Sequence, residues 1–109
     1  MEIGDLLKQS LKDLTLPSYY LKRPNDTKEC IVYTYIETPS MYGDNKELAS
    51  KYTILLNVYT VQSKIEKTKK NVKDVILNSG FKKKIILQPV QEKNEIYNIA
   101  MQFTIALKN

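Results

Sequence analysis

The spacing of apolar residues changes within residues 52–81, and this change predicts a strand that runs almost directly into a helix. Apolar and aromatic side chains occupy every second position from 52 to 58, which is the period of a strand. Beyond Ser63 the apolar residues follow a period near 3.6, as on one face of a helix, at Ile65, Val72, Val75 and Ile76. Ser63 and Glu66 have the spacing of a capping box, and Gly80 is the usual residue just past a helix end.

The same periodicities predict the other elements of the chain. Residues 2–14 carry one apolar stripe that ends before Pro17, so a first helix is predicted there. Residues 38–47 are rich in turn formers and are predicted to be a long connection between two strands. The alternating patterns predict a short edge strand at residues 18–22 and main strands at residues 29–37, 49–60, 84–90 and 97–107.

The main elements occur in the order helix, strand, strand, helix, strand, strand, which predicts an α+β fold. Each helix has a single apolar stripe, so both helices are expected side by side on one face of a single mixed or antiparallel sheet of about four main strands. The helix between the second and third strands is expected to form a right-handed crossover. A chain of 109 residues, 42% of them hydrophobic, is expected to form one domain, residues 1–109, with its own core.

Composition and charge narrow the possible functions. The chain has 17 Lys and Arg against 12 Asp and Glu, which gives a net charge of +5. Arg23 is the only arginine, and lysine is poorly suited to bidentate contacts with bases, so sequence-specific recognition of nucleic acid is disfavoured. No apolar run is long enough to cross a bilayer and no secretory signal is recognisable, so we expect a protein made in a cytoplasm. Cys30 is the only cysteine and is expected to be a small buried hydrophobe.

The sequence contains no recognisable catalytic or cofactor motif. The absence of His removes the commonest general base and most zinc sites. The three glycines are far apart, so a glycine-rich phosphate loop is excluded. Two carboxylate pairs, Asp44 with Glu47 and Glu92 with Glu95, are the remaining catalytic option, but acidic residues are common in soluble turns. We therefore expect a protein that is not an enzyme, with no catalytic residues, no cofactor and no metal.

Two segments are candidate interaction sites. The first is the lysine-rich segment 64–84, with candidate polyanion contacts at Lys69, Lys70, Lys73, Lys82, Lys83 and Lys84. Its pattern is typical either of a polyanion-binding face or of a solvated helix surface followed by an edge strand that lysines protect from further pairing. The second is a protein interface in the predicted long connection, at Met41, Tyr42, Gly43 and Asp44. Met and aromatic residues are enriched at protein interfaces, which makes this segment a candidate anchor for a partner.

Several features occur together and in order along most of the chain. They are the helix that ends before Pro17, the segment 31–35, the segment 51–59 that runs into Ser63, the Gly80-Phe81 helix exit, and the closing strand from residue 95 to 103. In this pattern the chain resembles the small tail-completion proteins of long-tailed bacteriophages and prophages, also called tail terminator or tail-to-head joining proteins.

The resemblance implies a virion structural protein that is assembled in the cytoplasm of the bacterial host. Such proteins form rings, commonly hexameric, at the head-proximal end of the tail tube, where they stop tube growth and join the tail to the head connector. The implied partners are copies of itself, the tail tube protein and the head connector protein, with DNA as non-specific passing cargo and no membrane. The lysines of the segment 64–84 are then expected on an outer or axial surface. The residues themselves leave two alternatives open: a small basic nucleic-acid-binding module that uses this segment, and a regulatory adaptor that uses the long connection.

Overall fold

A computed structural model, which describes residues 2–24, 28–43 and 46–108, contains two helices and a six-stranded sheet. The elements are α1 (Ile3–Leu11), β1 (Ser18–Tyr20), β2 (Cys30–Gly43), β3 (Lys46–Val61), α2 (Ile65–Asn78), β4 (Lys82–Ile86), β5 (Val90–Gln91) and β6 (Ile96–Lys108). The predicted α+β class with a single sheet is confirmed. The predicted short edge strand is β1, and the two-residue β5 is a further strand that was not predicted.

The sheet is mixed, with the strand order β1-β2-β3-β6-β4 and with β5 attached to β6. β1 pairs with β2 in parallel, whereas all the other pairs are antiparallel. The last strand in the chain, β6, therefore lies between β3 and β4, and α2 joins these two parallel strands. β1 and β4 are the outer strands of the sheet, so they define its two edges.

β2 and β3 form one continuous hairpin, and the long connection predicted at residues 38–47 is wrong. The two strands pair from Cys30, opposite Tyr59, out to Gly43, opposite Lys46. The turn-forming residues instead mark irregularities within the strand, because the register shifts on either side of Met41. Proline has no N–H to donate to a neighbouring strand. Pro39 can still occupy β2, because β1 pairs with β2 only as far as Tyr33 and no strand lies beside Pro39 on the β1 side. The 16 residues of β3 span about 53 Å at roughly 3.3 Å per residue, which matches the 53 Å long axis of the molecule.

The hydrophobic core lies between one face of the sheet and both helices. Three rows of facing residues across β2, β3 and β6 form its floor: Ile31–Val58–Ile99, Tyr33–Leu56–Met101 and Tyr35–Ile54–Phe103. The helices cover these rows with Ile3, Leu7 and Leu11 from α1 and with Val72 and Ile76 from α2. Burial of each such aliphatic or aromatic side chain stabilises the fold by about 1.5–3 kcal/mol. Both helices therefore pack on the same face, as their single apolar stripes predicted.

The joint between β3 and α2 confirms the predicted change of period but not the predicted cap. Ser63 lies in a 3-10 turn, Gln62–Lys64, and no side-chain cap bond is made at Lys64, so the predicted Ser63–Glu66 capping box is wrong. The physical reason is that the turn already satisfies an amide at the helix start, since Ile65 donates its N–H to the carbonyl of Gln62. The other end is as predicted, with Gly80 at a φ of +99° just past the helix.

Candidate interaction surfaces

The second face of the sheet, which we call the open face, is not covered by either of the described helices. Four successive rows across β2, β3 and β6 form it: Cys30–Tyr59–Asn98, Val32–Asn57–Ala100, Thr34–Leu55–Gln102 and Ile36–Thr53–Thr104. No side chain in these rows is charged, although charged residues make up 27% of the chain. Ile36 is 54% exposed, and Ile85 on β4 extends the row of Gln102 with a second exposed apolar side chain. Charge lies at the borders of these rows: Lys82 of β4 pairs with Thr104 at the end of the last row, and Lys51 of β3 lies in the next row toward the hairpin tip.

Arg23 covers one corner of the open face. Its guanidinium carbon lies 3.8 Å from the centre of the Tyr59 ring, and its Nη2 donates a hydrogen bond to the carbonyl of Lys28 at 3.3 Å. Cys30 is buried in the same corner, as predicted. Burial raises the pKa of the Cys30 thiol, and the nearby Arg23 opposes this rise without cancelling it. Cys30 is therefore a buried neutral thiol and not an activated nucleophile.

A cleft of about 440 Å³ lies beside the start of α1, and we call it the tyrosine cleft. Tyr20, Tyr33, Tyr35 and Tyr52 line it, from three different strands. The ring centre of Tyr20 is 5.6 Å from those of Tyr33 and Tyr35, and the ring centres of Tyr35 and Tyr52 are 6.0 Å apart. These are the distances of interacting aromatic pairs, so the four rings form one connected cluster.

The charged groups of the tyrosine cleft are mainly acidic. Its lining includes the carboxylates of Glu2, Asp5 and Glu37 and one ammonium group, that of Lys8. The hydroxyl of Tyr52 donates a hydrogen bond to Oε2 of Glu37 at 3.1 Å. The cleft is thus locally negative on a chain whose net charge is +5.

Burial also shifts the titration of two of the cleft tyrosines, Tyr33 and Tyr35. It is the main cause that raises the pKa of Tyr33 and of Tyr35, and the neighbouring Tyr20 raises both pKa values further. At ordinary pH the cleft therefore presents the neutral rings of Tyr33 and Tyr35 beside the acidic side chains that line it. All four tyrosines fall in segments that the sequence predicts as strands, but the sequence did not predict that they form one cluster. The one local sign was the spacing of Tyr33 and Tyr35, which places both on the same face of a strand.

A groove of about 470 Å³ separates the end of α1 from the start of α2. At its polar end, Glu29 accepts a hydrogen bond from the hydroxyl of Thr60 at 2.7 Å and lies 3.5 Å from Nζ of Lys64. Thr60 is 0% exposed, so this bond satisfies a buried hydroxyl. The polar end of the groove is therefore engaged in holding β2, β3 and the turn before α2 together.

The six lysines proposed for polyanion contact lie on one side of the molecule, which we call the basic edge: Lys69, Lys70, Lys73, Lys82, Lys83 and Lys84. Residues 67, 68, 71, 74 and 75 of α2 line the groove toward α1. The helical period therefore places the three lysines of α2 on its other side, where its neighbour is β4. The three lysines of β4 are exposed on an outer strand, and Lys69 lies 3.3 Å from the carboxylate of Glu66. The position of Lys82 to Lys84 also fits the alternative of an edge strand protected by charge.

The described part of the predicted interface, residues 41–43, lies at the far end of β2 and not in a long loop. Met41, Tyr42 and Gly43 belong to β2, where they are paired with Ala49, Glu47 and Lys46 of β3. Asp44 lies outside the described residues. A protein-interface role for this segment stays a prediction.

The described part of the structure gives no support for catalysis by either carboxylate pair. Glu92 and Glu95 are both exposed, and the pair of Asp44 with Glu47 cannot be placed because Asp44 lies outside the described residues. Among the residues that the structure describes, no group of three or more His, Cys, Asp or Glu is placed to hold a metal ion. No helix in the described ranges has the length and apolar character needed to span a membrane.

Comparison with known proteins adds no relative to this description. The chain matches no protein-family model, and no curated protein matches its sequence. The roles of the open face, the tyrosine cleft and the basic edge therefore rest on their geometry and charge.

Proposed function

We propose that this protein is a structural subunit that works by assembly, as a phage or prophage virion protein. In this proposal it forms a ring at the head-proximal end of the tail tube, terminates the tail and joins it to the head connector. The assembly role is proposed from the open face, whose rows across β2, β3 and β6 hold no charged side chain. Ile36 is exposed within these rows, and Ile85 is exposed on the adjoining strand β4. Depletion of charged side chains is typical of the central part of interaction sites. The tail-specific part of the proposal rests on the resemblance in element order and pattern to tail-completion proteins.

The shape of the subunit supports a ring that also contacts partners along its axis. In a ring every subunit uses two different surfaces toward two neighbours, and closure satisfies each of them at once. The β2–β3 hairpin extends the molecule to 53 Å and is the candidate for reaching an adjacent ring. The partners in this proposal are further copies of the chain, the tail tube protein and the head connector protein, while DNA passes without being read.

The test is the size of the protein in solution, measured by sedimentation velocity over a wide concentration range with and without tail tube protein. We expect ring-sized species, and tubes of arrested length when the protein is present during tube growth. Ile36→Lys should abolish these species, because it places a charge within the open face at a side chain that is 54% exposed. The matched control is Gln9→Lys, which adds the same charge on the exposed side of α1. A protein that stays monomeric and leaves tube length unchanged would refute the proposal.

The alternative function is non-specific binding of nucleic acid through the basic edge. It is supported by the convergence of lysines from α2 and β4 on one side of the molecule. It predicts binding to duplex DNA whose logarithmic salt dependence has a slope of about 0.9 for each phosphate contacted. Neutralising Lys82, Lys83 and Lys84 together should reduce that slope, and absence of binding at low salt would exclude this function.

A further inference from the structure

We propose that copies of this chain associate head to tail, with lysine side chains from the basic edge of one copy entering the tyrosine cleft of the next. This inference rests on the proposed assembly function in one respect, since both require self-association. It goes beyond that function by naming a contact between copies that is separate from the open face and is needed together with it, and by naming the chemistry that joins its two surfaces.

The first argument is the chemistry of the cleft. The faces of aromatic rings attract ammonium and guanidinium groups, and the tyrosine cleft combines four such rings with three carboxylates. Tyr20 is 47% exposed, so at least one ring is accessible from solvent. A long cationic side chain, with an apolar stem and a charged end, suits this combination of rings and carboxylates.

The second argument is the position of the two surfaces on the sheet. The tyrosine cleft lies between the start of α1 and the strands β1, β2 and β3, in the half of the sheet that ends at β1. The basic edge lies along β4, the outer strand on the opposite side. One subunit therefore carries a cation-accepting surface and a cation-donating surface on opposite sides. Contacts between unlike surfaces of this kind build a closed ring when the rotation between copies closes, and an open filament otherwise.

The third argument is charge complementarity within the chain. Copies that each carry a net charge of +5 repel one another unless the contact is oriented so that a basic surface meets an acidic one. Lys82, Lys83 and Lys84 are all exposed on the outer strand, while Lys69 already has Glu66 as a partner. The lysines of β4 are thus the side chains that we assign to the cleft. A nucleic acid could meet the same lysines but would leave the cleft of every copy without a partner.

The experiment reverses the charge of each surface in a separate variant. The first variant reverses the cleft with Asp5→Lys and Glu37→Lys, and the second reverses the basic edge with Lys82→Glu, Lys83→Glu and Lys84→Glu. Each variant alone then presents two surfaces of like charge and should be monomeric by sedimentation velocity. An equimolar mixture should associate again, because every contact between the two kinds of subunit is complementary. The matched control for the second variant, which changes the same amount of charge at exposed sites outside both surfaces, combines Lys12→Glu, Lys28→Glu and Lys93→Glu.

A second measurement isolates the contribution of the aromatic rings. Tyr20→Leu should weaken association by about two- to fivefold, the effect of one exposed cation–π contact, whereas Tyr20→Phe should retain it. Because Tyr20 is half exposed, neither change endangers folding, and circular dichroism of each variant verifies this.

The outcomes separate this inference from the proposed function. If the wild type assembles and the charge variants assemble equally well, the head-to-tail contact is overturned while the assembly function stands. A loss of association that the mixture does not restore also overturns the pairing of these two surfaces. A wild type that is monomeric with and without tail tube protein overturns both proposals, and binding of DNA by that monomer through Lys82 to Lys84 establishes the nucleic-acid alternative.

Discussion

Replacing Thr60 by Val removes one buried hydroxyl from the end of β3 and nearly preserves the shape of the side chain. In the native protein this hydroxyl donates to Oε1 of Glu29 at 2.7 Å, and the other carboxylate oxygen lies 3.5 Å from Lys64. A hydrogen bond to a charged group contributes about 1.5–3 kcal/mol. The methyl group gained by Val offsets about 0.8 kcal/mol of this loss. We therefore expect Thr60→Val to lower the free energy of unfolding by about 1–2 kcal/mol.

The assay is urea unfolding followed by circular dichroism, compared with the wild type at the same pH and salt. In the background of Glu29→Ala, Thr60→Val should lose most of its cost, because the acceptor is already absent. Lys64→Ala is the control for the ion pair and should cost less than about 1 kcal/mol, since the side chains of Lys64 and Glu29 are 59% and 27% exposed. An unfolding free energy that is unchanged or raised by Thr60→Val would show that this hydrogen bond does not hold the joint between β2 and β3.

Three further predictions concern the helix end, the core and the cleft. Gly80→Ala should lower the unfolding free energy by about 1–2 kcal/mol, because the φ of Gly80 is +99°. Gly4→Ala, within α1, should instead raise it by about 0.5–1 kcal/mol. Chemical denaturation measures both changes, and equal effects of the two substitutions would contradict this reasoning. Phe103→Ala should cost about 3–5 kcal/mol in the same assay, since Phe103 is fully buried, and a cost below about 1 kcal/mol would place it outside the core. Burial raises the pKa of Tyr33 and Tyr35 above the ordinary 10.0, so the unfolded chain ionises first and stability should fall as the pH rises through 10.0. Constant stability from about pH 9 to about pH 11 would contradict the burial of these hydroxyls.

The helices and strands follow closely from local periodicity. β3 and α2 were predicted from the change of period alone, because burial of one face imposes a spacing of two on a strand and of 3.6 on a helix. Residues whose conformation depends on a partner were predicted less well. Residues 38–43 look like a loop in isolation, and only pairing with β3 makes them a strand. Ser63 has the spacing of a cap, but in the 3-10 turn after β3 the carbonyl of Gln62 accepts the N–H of Ile65, and no side-chain cap is made.

The candidate surfaces also differ in whether they depend on neighbouring residues or on distant ones. The lysines that form the basic edge are visible as a run in the sequence, since they lie within residues 69–84 on two successive elements. The tyrosine cleft draws Tyr20, Tyr35 and Tyr52 from three strands, so it depends on a parallel pairing of β1 with β2 and on the register of β2 with β3. No local pattern specifies either of these pairings.

The sequence by itself determined the α+β class, the two amphipathic helices, the long half-buried strands and the excess of lysine, because each of these depends on residues that are near neighbours in the chain. Only the tertiary structure decided that β6 lies between β3 and β4, and that the basic edge and the tyrosine cleft lie toward opposite edges of the sheet. The physical reason is that strand order and register arise from contacts between residues far apart in sequence, where burial of the whole core selects one pairing among many that satisfy the local pattern.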